Sequence, residues 1–267
     1  MIEANIKCNN FSSFSEYIHF VESIKGKIRL HHSEDLLLFR GQDVDKPLLP
    51  KIAREYEMER ELPPLFKKIN LHTDELLMLE EFKRQARPFQ DSSFESNWDW
   101  LSLAQHHGMN TRLLDWTSNP IVAFYFSLGG DSYGTQATIW IIKISPSQIV
   151  DPSTNPDPFD LPNTMFFRPN LISTRIIVQG GWFSVHKYLK TKDFFIPLEK
   201  NKDFSKRCTK ITIFGDHRKH LTYLDLCGIN KASLFPGLDG LSEYINWRSI
   251  NERYREIGPP PLLKSRK

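Results

Sequence analysis

The sequence predicts an α+β protein, with a mixed or antiparallel sheet and helices around it. Three observations carry this. Several segments place apolar residues at helical spacing between recognisable caps and stops. Others are short apolar, β-branched runs of strand length. The two kinds do not alternate in the regular strand–helix rhythm of a parallel α/β sheet. The 267 residues, 40% hydrophobic with 19 Phe and 6 Trp, suffice for one large domain or two small ones. No internal repeat is visible.

Residues 13–25 read as an amphipathic helix. Ser13 and Glu16 form a capping box, Phe14, Ile18, Val21 and Ile24 make the stripe, and Gly26 is the expected stop. Leu36-Leu37-Leu38-Phe39 is a short apolar strand that ends at Arg40-Gly41-Gln42. A polar stretch interrupted by proline follows to about residue 70. Thr73 should cap a helix through Leu76, Leu79, Phe82 and Ala86, closed by Pro88. Phe89 to Asn97 reads as a surface loop. Ala137 to Ile144 is a strand, and residues 145–170 read as a long excursion of the kind often used as a lid. Arg175-Ile176-Ile177-Val178 is expected to be a buried strand ending at Gln179, continued by Trp182 to Val185 after a bulge. Lys210 to Phe214 is a strand, and Asp216 caps a helix closed by Gly228. A last helix runs through Leu238, Leu241, Tyr244, Ile245 and Arg248, before a disordered basic tail beginning at Pro259.

The stretch from Gln105 to Pro120 concentrates the chemistry. Two histidines, an arginine, an aspartate and several hydroxyls and amides lie between two apolar runs. Such groups are costly to bury unless they pair with each other or with a ligand. Trp98 to Gln105 reads as a helix stopped at Gly108, and Leu113-Leu114 as a buried strand. Asn119-Pro120 is an N-cap followed by proline at the first helical position, opening the helix Ile121 to Phe126. The polar residues therefore face a helix N-terminus, which favours phosphate or carboxylate.

Composition narrows the classes. A net charge of +3 does not by itself indicate nucleic-acid binding. Cys8, Cys208 and Cys227 are too few and too scattered for a disulfide framework or a zinc site, and fit a reducing, cytoplasmic setting. The start Met1-Ile2-Glu3-Ala4 is not a signal peptide, and no run has the length of a membrane span, so no membrane partner is expected.

Three motifs carry a resemblance. Phe39-Arg40-Gly41-Gln42, then Leu103-Ala104-Gln105-His106-His107-Gly108 running into Thr111 to Thr117, then Arg175 to Phe183 together resemble the FRG domain, a mostly bacterial family. Cys227-Gly228-Ile229 and Leu234 to Gly240 are similar to that family's ending. The resemblance covers residues 15–245, leaving 246–267 as the end of the last helix and a basic, proline-rich tail. A second similarity, at the level of fold analogy, is to ADP-ribosyltransferases. It implies a split sheet, NAD as ligand, Arg40 on the first functional strand and Thr117-Ser118 before the helix at Ala123. The catalytic carboxylate would be expected near Gln179. The family resemblance further implies a bacterial toxin or phage-defence setting. There a protein or nucleic-acid target and a cognate inhibitor or defence-system partner would be expected.

The candidate catalytic residues are thus Gln179, Asp115 and His106. The candidate NAD-binding set is Arg40, Gly41, Gln42, Gln105, Thr111, Arg112, Trp116, Thr117 and Ser118, with no metal assigned. Each has a structural alternative. Arg40 either grips a phosphate or pairs with a carboxylate such as Asp115. Gly41 either admits the ligand to the backbone or makes a turn. Thr117 and Ser118 hold a ribose or cap a helix, and a histidine is either a base or a satisfied core group. Arg112 and Asp115 would form a buried salt bridge. Trp116 either stacks on a base or sits in the core. Gln179 keeps a hydrogen bond but lacks the charge that an oxocarbenium-like transition state requires. The alternatives to an enzyme are a nucleotide- or nucleic-acid-binding module and an assembly component.

Overall fold

A computed structural model describes residues 7–31, 33–54, 70–89, 94, 96–129, 134–170, 173–190 and 194–257. Among these, the main sheet comprises β1 (Lys7–Phe11), β2 (Leu36–Gln42), β3 (Leu113–Thr117), β4 (Gln136–Ile144), β5 (Met165–Phe167), β6 (Gly181–Val185) and β9 (Cys208–Phe214). Their order is β1-β9-β4-β2-β3-β6-β5. β1 lies parallel to β9, and every other neighbouring pair is antiparallel. A separate ribbon pairs β7 (Tyr188–Leu189) with β8 (Phe194–Phe195). The sheet is therefore mixed, and the α+β class holds.

Alternation along the strands gives the sheet two apolar faces. Leu37 and Phe39 join Ile139, Ile141, Ile211 and Ile213 under α1 (Phe14–Leu30) and α4 (Pro120–Ser127), where Tyr17, Val21 and Phe124 are buried with them. Leu38 joins Leu114, Trp116, Trp140, Ile142 and Ile144 on the opposite face. A third cluster packs Leu113, Phe183 and Val185 against α2 (Leu71–Ala86) and α3 (Asn97–His106) through Leu79, Trp98 and Leu101. Two helix groups thus cover different parts of the sheet, and the functional segment runs between them.

Several local expectations are corrected. Ser13 does cap α1, accepting from the Glu16 amide, but the Glu16 carboxylate accepts from the Ser12 amide. Gly26 does not stop the helix, which runs on to Leu30 because Ile28 continues the packed stripe. A mid-helix glycine costs about 1 kcal/mol, which that packing offsets. Asn70, not Thr73, caps α2, accepting from the Thr73 amide at 3.1 Å. Residues 145–170 are held against the body of the protein. Val150, Phe159, Leu161 and Phe167 anchor the excursion in the core beside Trp98.

The largest correction concerns Arg175–Val178, which is helix and not strand. This is α5 (Thr174–Val178), capped by Ser173 accepting from the Ile176 amide and ended at Gly180, whose φ is 57°. Ile177 and Val178 are 51% and 42% exposed, so their β-branching does not mark a buried strand. The rest of the helical layer is α6 (His217–Leu226), α7 (Lys231–Leu234) and α8 (Leu238–Ile257). No helix among the described residues is long and apolar enough to cross a membrane. The proline-rich tail from residue 258 and the stretch 55–69 lie outside the described residues.

Candidate functional site

The sheet is incomplete at its centre. β2 pairs with β4 over seven residues and β3 with β6 over five, but β2 and β3 pair at Phe39 and Thr117 alone. Beyond that point Arg40–Gln42 and Leu114–Trp116 diverge. A cleft of about 780 Å³ opens in the gap, within the size range of ligand pockets. The C-terminal end of α3 contributes Gln105, His106 and His107, the end of α4 contributes Phe126, and α5 contributes Arg175, Ile176 and then Gln179.

Arg40 spans the split. Its Nη1 donates to the Asp115 main-chain oxygen at 2.7 Å, replacing a ladder bond that the diverging strands cannot make, and lies 3.7 Å from the Asp115 carboxylate. Its Nε is buried without a hydrogen-bond partner among the described residues. Burial lowers its pKa; the Asp115 carboxylate opposes this and the charge of Arg54 adds to it. Asp115 is 59% exposed in its side chain and accepts from Gln105 Nε2 at 3.0 Å. Burial, followed by the charge of Arg175, holds the half-buried His106 imidazole below its ordinary pKa. A neutral imidazole at the edge of the cleft can accept a proton.

Other expected ligands have structural roles. Thr117 Oγ1 donates to the Gln179 main-chain oxygen at 2.6 Å and accepts from the Asn119 amide at 3.0 Å, so its hydroxyl is committed. Ser118 does not line the cleft; its amide donates to Gly180, and the cap of α4 is Asn119. Thr111 is buried, donating to Gln105 Oε1 at 2.6 Å. It positions Gln105, which in turn holds Asp115. Gly41 lines the cleft with its backbone, and it makes no turn. It sits within β2, and a Cβ there would run into the Ala123 oxygen and the Ser127 amide of α4.

Arg112 is not paired with Asp115. It lies away from the cleft, 1% exposed, with its Nε 2.8 Å from Glu75 and its Nη2 3.0 Å from His72 Nδ1. Gln179 lies at the C-terminal cap of α5, not at a strand end, and its Nε2 donates to the Leu234 oxygen at 2.9 Å. Gln42 lines the cleft while accepting from Trp140 Nε1 at 3.2 Å.

Trp116 belongs to the core, although its edge reaches the cleft. Its Nε1 donates to Ser184 Oγ at 2.9 Å, which lies 3.1 Å from His186 Nε2. Burial, helped by the charges of Arg40 and Arg112, pushes the His186 pKa down from 6.5 to about 3. The unfolded chain therefore takes up a proton below pH 6.5 that the folded protein refuses. For this group, stability is full above 6.5 and falls by about 1.4 kcal/mol per pH unit toward pH 3. The melting midpoint should drop between pH 7 and pH 5, and His186→Gln should flatten that slope. Equal slopes in the two proteins would exclude His186 as the source.

Sequence reasoning missed Arg54, Arg175, Lys46 and Asp43, all of which line the cleft. Arg175 stood inside a recognised motif but was assigned to a strand. Nothing in the sequence joins Arg54 to Arg40. Among the described residues, four cations, Arg40, Lys46, Arg54 and Arg175, line the cleft with two carboxylates, Asp43 and Asp115. No group of three or more metal-ligating side chains occurs among the described residues.

The family model of the FRG domain matches residues 35–134. This segment is similar to the FRG domain. It contains β2, α2, α3, β3 and α4, and so supplies both strands of the split and the helices on either side. It is shorter than the 15–245 expected from the motifs, and α5 with Arg175 and Gln179 lies beyond it. No curated protein and no solved structure matches the chain.

Proposed function

We propose that this FRG-domain protein binds NAD in the cleft at the β2–β3 split and transfers or hydrolyses its ADP-ribosyl group, as a bacterial toxin or antiphage-defence effector. The observation that carries the proposal is the cationic cleft lined by Arg40, whose Nε has no hydrogen-bond partner among the described residues, with the Asp115 carboxylate 3.7 Å from its Nη1.

Cleavage breaks the bond between ribose C1′ and the nicotinamide nitrogen, and the electron pair leaves with neutral nicotinamide. Positive charge develops on the ribose, and the Asp115 carboxylate, fixed by Gln105, is the group placed to stabilise it. Water or a hydroxyl of a protein or nucleic-acid target then attacks C1′, and neutral His106 accepts its proton. Gln179 has its amide committed to Leu234, so it offers an acceptor but no charge. A cognate inhibitor or defence-system partner would restrain such an activity.

The test is nicotinamide release by purified protein, alongside melting with millimolar NAD. Asp115→Asn should reduce release by roughly 100-fold or more while retaining the NAD-induced shift of the midpoint. Neither release nor shift in the wild type would overturn the proposal. A second reading, a nucleotide-binding module without turnover, is favoured by the missing carboxylate at Gln179. It is selected if NAD shifts the midpoint and no nicotinamide appears.

A further inference from the structure

The cleft holds two guanidinium groups with an unmet requirement. Arg40 and Arg54 both line it, and the Nε of each is buried without a hydrogen-bond partner among the described residues. A desolvated donor left unpaired costs about 1–3 kcal/mol, more when charged. Two such donors in one cleft mark a place where acceptors arrive with a ligand.

We propose that Arg40 and Arg54 together form a subsite for a diphosphate, so that the molecule bound in the cleft carries two linked phosphoryl groups. The proposal rests on the reading of the cleft as a nucleotide site, and it adds Arg54 and a defined ligand chemistry to that reading. Each guanidinium is a planar fork that suits the oxygens of one phosphoryl group. Two forks in one cleft therefore suit two linked phosphoryl groups, whereas a carboxylate or a single phosphate leaves one donor set unfilled.

The electrostatics agree. Burial lowers the pKa of Arg40; the Asp115 carboxylate opposes this more strongly than the charge of Arg54 adds to it, and the two cations feel one another in the same cleft. Lys46 adds a further cation to the same cleft. Arg54 is also held in place before any ligand arrives. It belongs to the helical residues 51–54, where Ile52 and Ala53 are buried, the Ile52 amide reaches the Thr111 oxygen, and Lys51 Nζ donates to the Gly108 oxygen at 3.0 Å. The segment before β3 thus fixes the position of Arg54. Preorganisation of this kind lowers the entropic cost of binding.

The test is calorimetric titration, at constant ionic strength, of the full chain with pyrophosphate, orthophosphate, ADP and adenosine. Wild type, Arg54→Gln and Arg54→Lys are compared, with NAD-dependent melting measured in parallel. Pyrophosphate should bind at least tenfold more tightly than orthophosphate, and ADP at least tenfold more tightly than adenosine. Arg54→Gln should lose at least tenfold in affinity for pyrophosphate and ADP, with its ligand-free melting midpoint unchanged or raised, because a repulsion is removed. Arg54→Lys should retain part of the affinity. Equal binding of pyrophosphate and orthophosphate, or unchanged affinity in Arg54→Gln, would overturn the subsite. If NAD still shifts the midpoint in that case, the NAD reading survives without it. Tight pyrophosphate binding with no response to NAD would keep the subsite and remove NAD as the ligand.

Discussion

Glu75→Ala is expected to destabilise the protein by about 3–5 kcal/mol, the largest loss from any single side chain considered, because it strands a buried cation. Glu75 is fully buried in α2 and does two things for Arg112. One carboxylate oxygen accepts the Arg112 main-chain amide at 2.6 Å, and the other accepts its Nε at 2.8 Å. The remaining guanidinium nitrogens are met by the Phe159 oxygen at 3.4 Å and by His72 Nδ1, and the group lies over the Phe159 ring at 4.4 Å. This network ties α2 and the 145–170 excursion to the residue that enters β3. Burial raises the Glu75 pKa while Arg112 opposes it, so ionisation of the carboxyl depends on its partner. Removing the carboxylate leaves an orphaned amide and an unpaired buried cation. Glu75→Gln should lose less, since it keeps an acceptor for the amide. Denaturant unfolding of the three proteins gives the order directly. A loss below about 1 kcal/mol in Glu75→Ala, the value typical of exposed pairs, would show that the pair does not anchor β3.

Gly41→Ala should cost about 3 kcal/mol, the upper end of the range for overpacking, because the atoms it meets are backbone. Gly41 lies in the middle of the FRG-type motif, yet its conformation is ordinary strand. α4 crosses β2 so closely that an added methyl group has no place beside Ala123 and Ser127. The helix would have to lift, moving Phe126 and the cleft wall with it. Both the unfolding midpoint and ligand affinity should therefore fall in Gly41→Ala. A variant with wild-type stability would mean that α4 tolerates displacement.

Local chemistry made several elements readable. Ser13, Asn119 and Asp216 cap the helices they were expected to cap, each accepting an amide two or three residues on. Gly108 and Gly228 take the left-handed conformation that ends a helix. These are interactions within a few residues, so the sequence order already contains them. The same is true of the apolar runs at 36–39 and 137–144, and of the density of polar groups between 105 and 120, of which Gln105, His106, His107, Asp115 and Thr117 line the cleft.

The misassigned elements turn on partners far along the chain. Arg175–Val178 has the composition of a strand, but Ser173 and Gly180 bracket it as a helical turn, and Leu234 engages the following Gln179. Arg112 finds Glu75 at 37 residues' separation instead of Asp115 at three, because strand alternation places residues 112 and 115 on opposite sides.

The sequence by itself determined the α+β class, the caps of α1, α4 and α6, the glycine stops after α3 and α6, and the presence of an FRG motif with a polar core segment. Only the tertiary structure decided that the sheet splits between β2 and β3. It also decided that Thr117 is committed to structure and that Arg40 and Arg54 meet in one cleft. Caps and periodicity are short-range and read along the chain. A cleft is set by which strands fail to pair and which distant charges converge, and both follow from packing of the whole molecule.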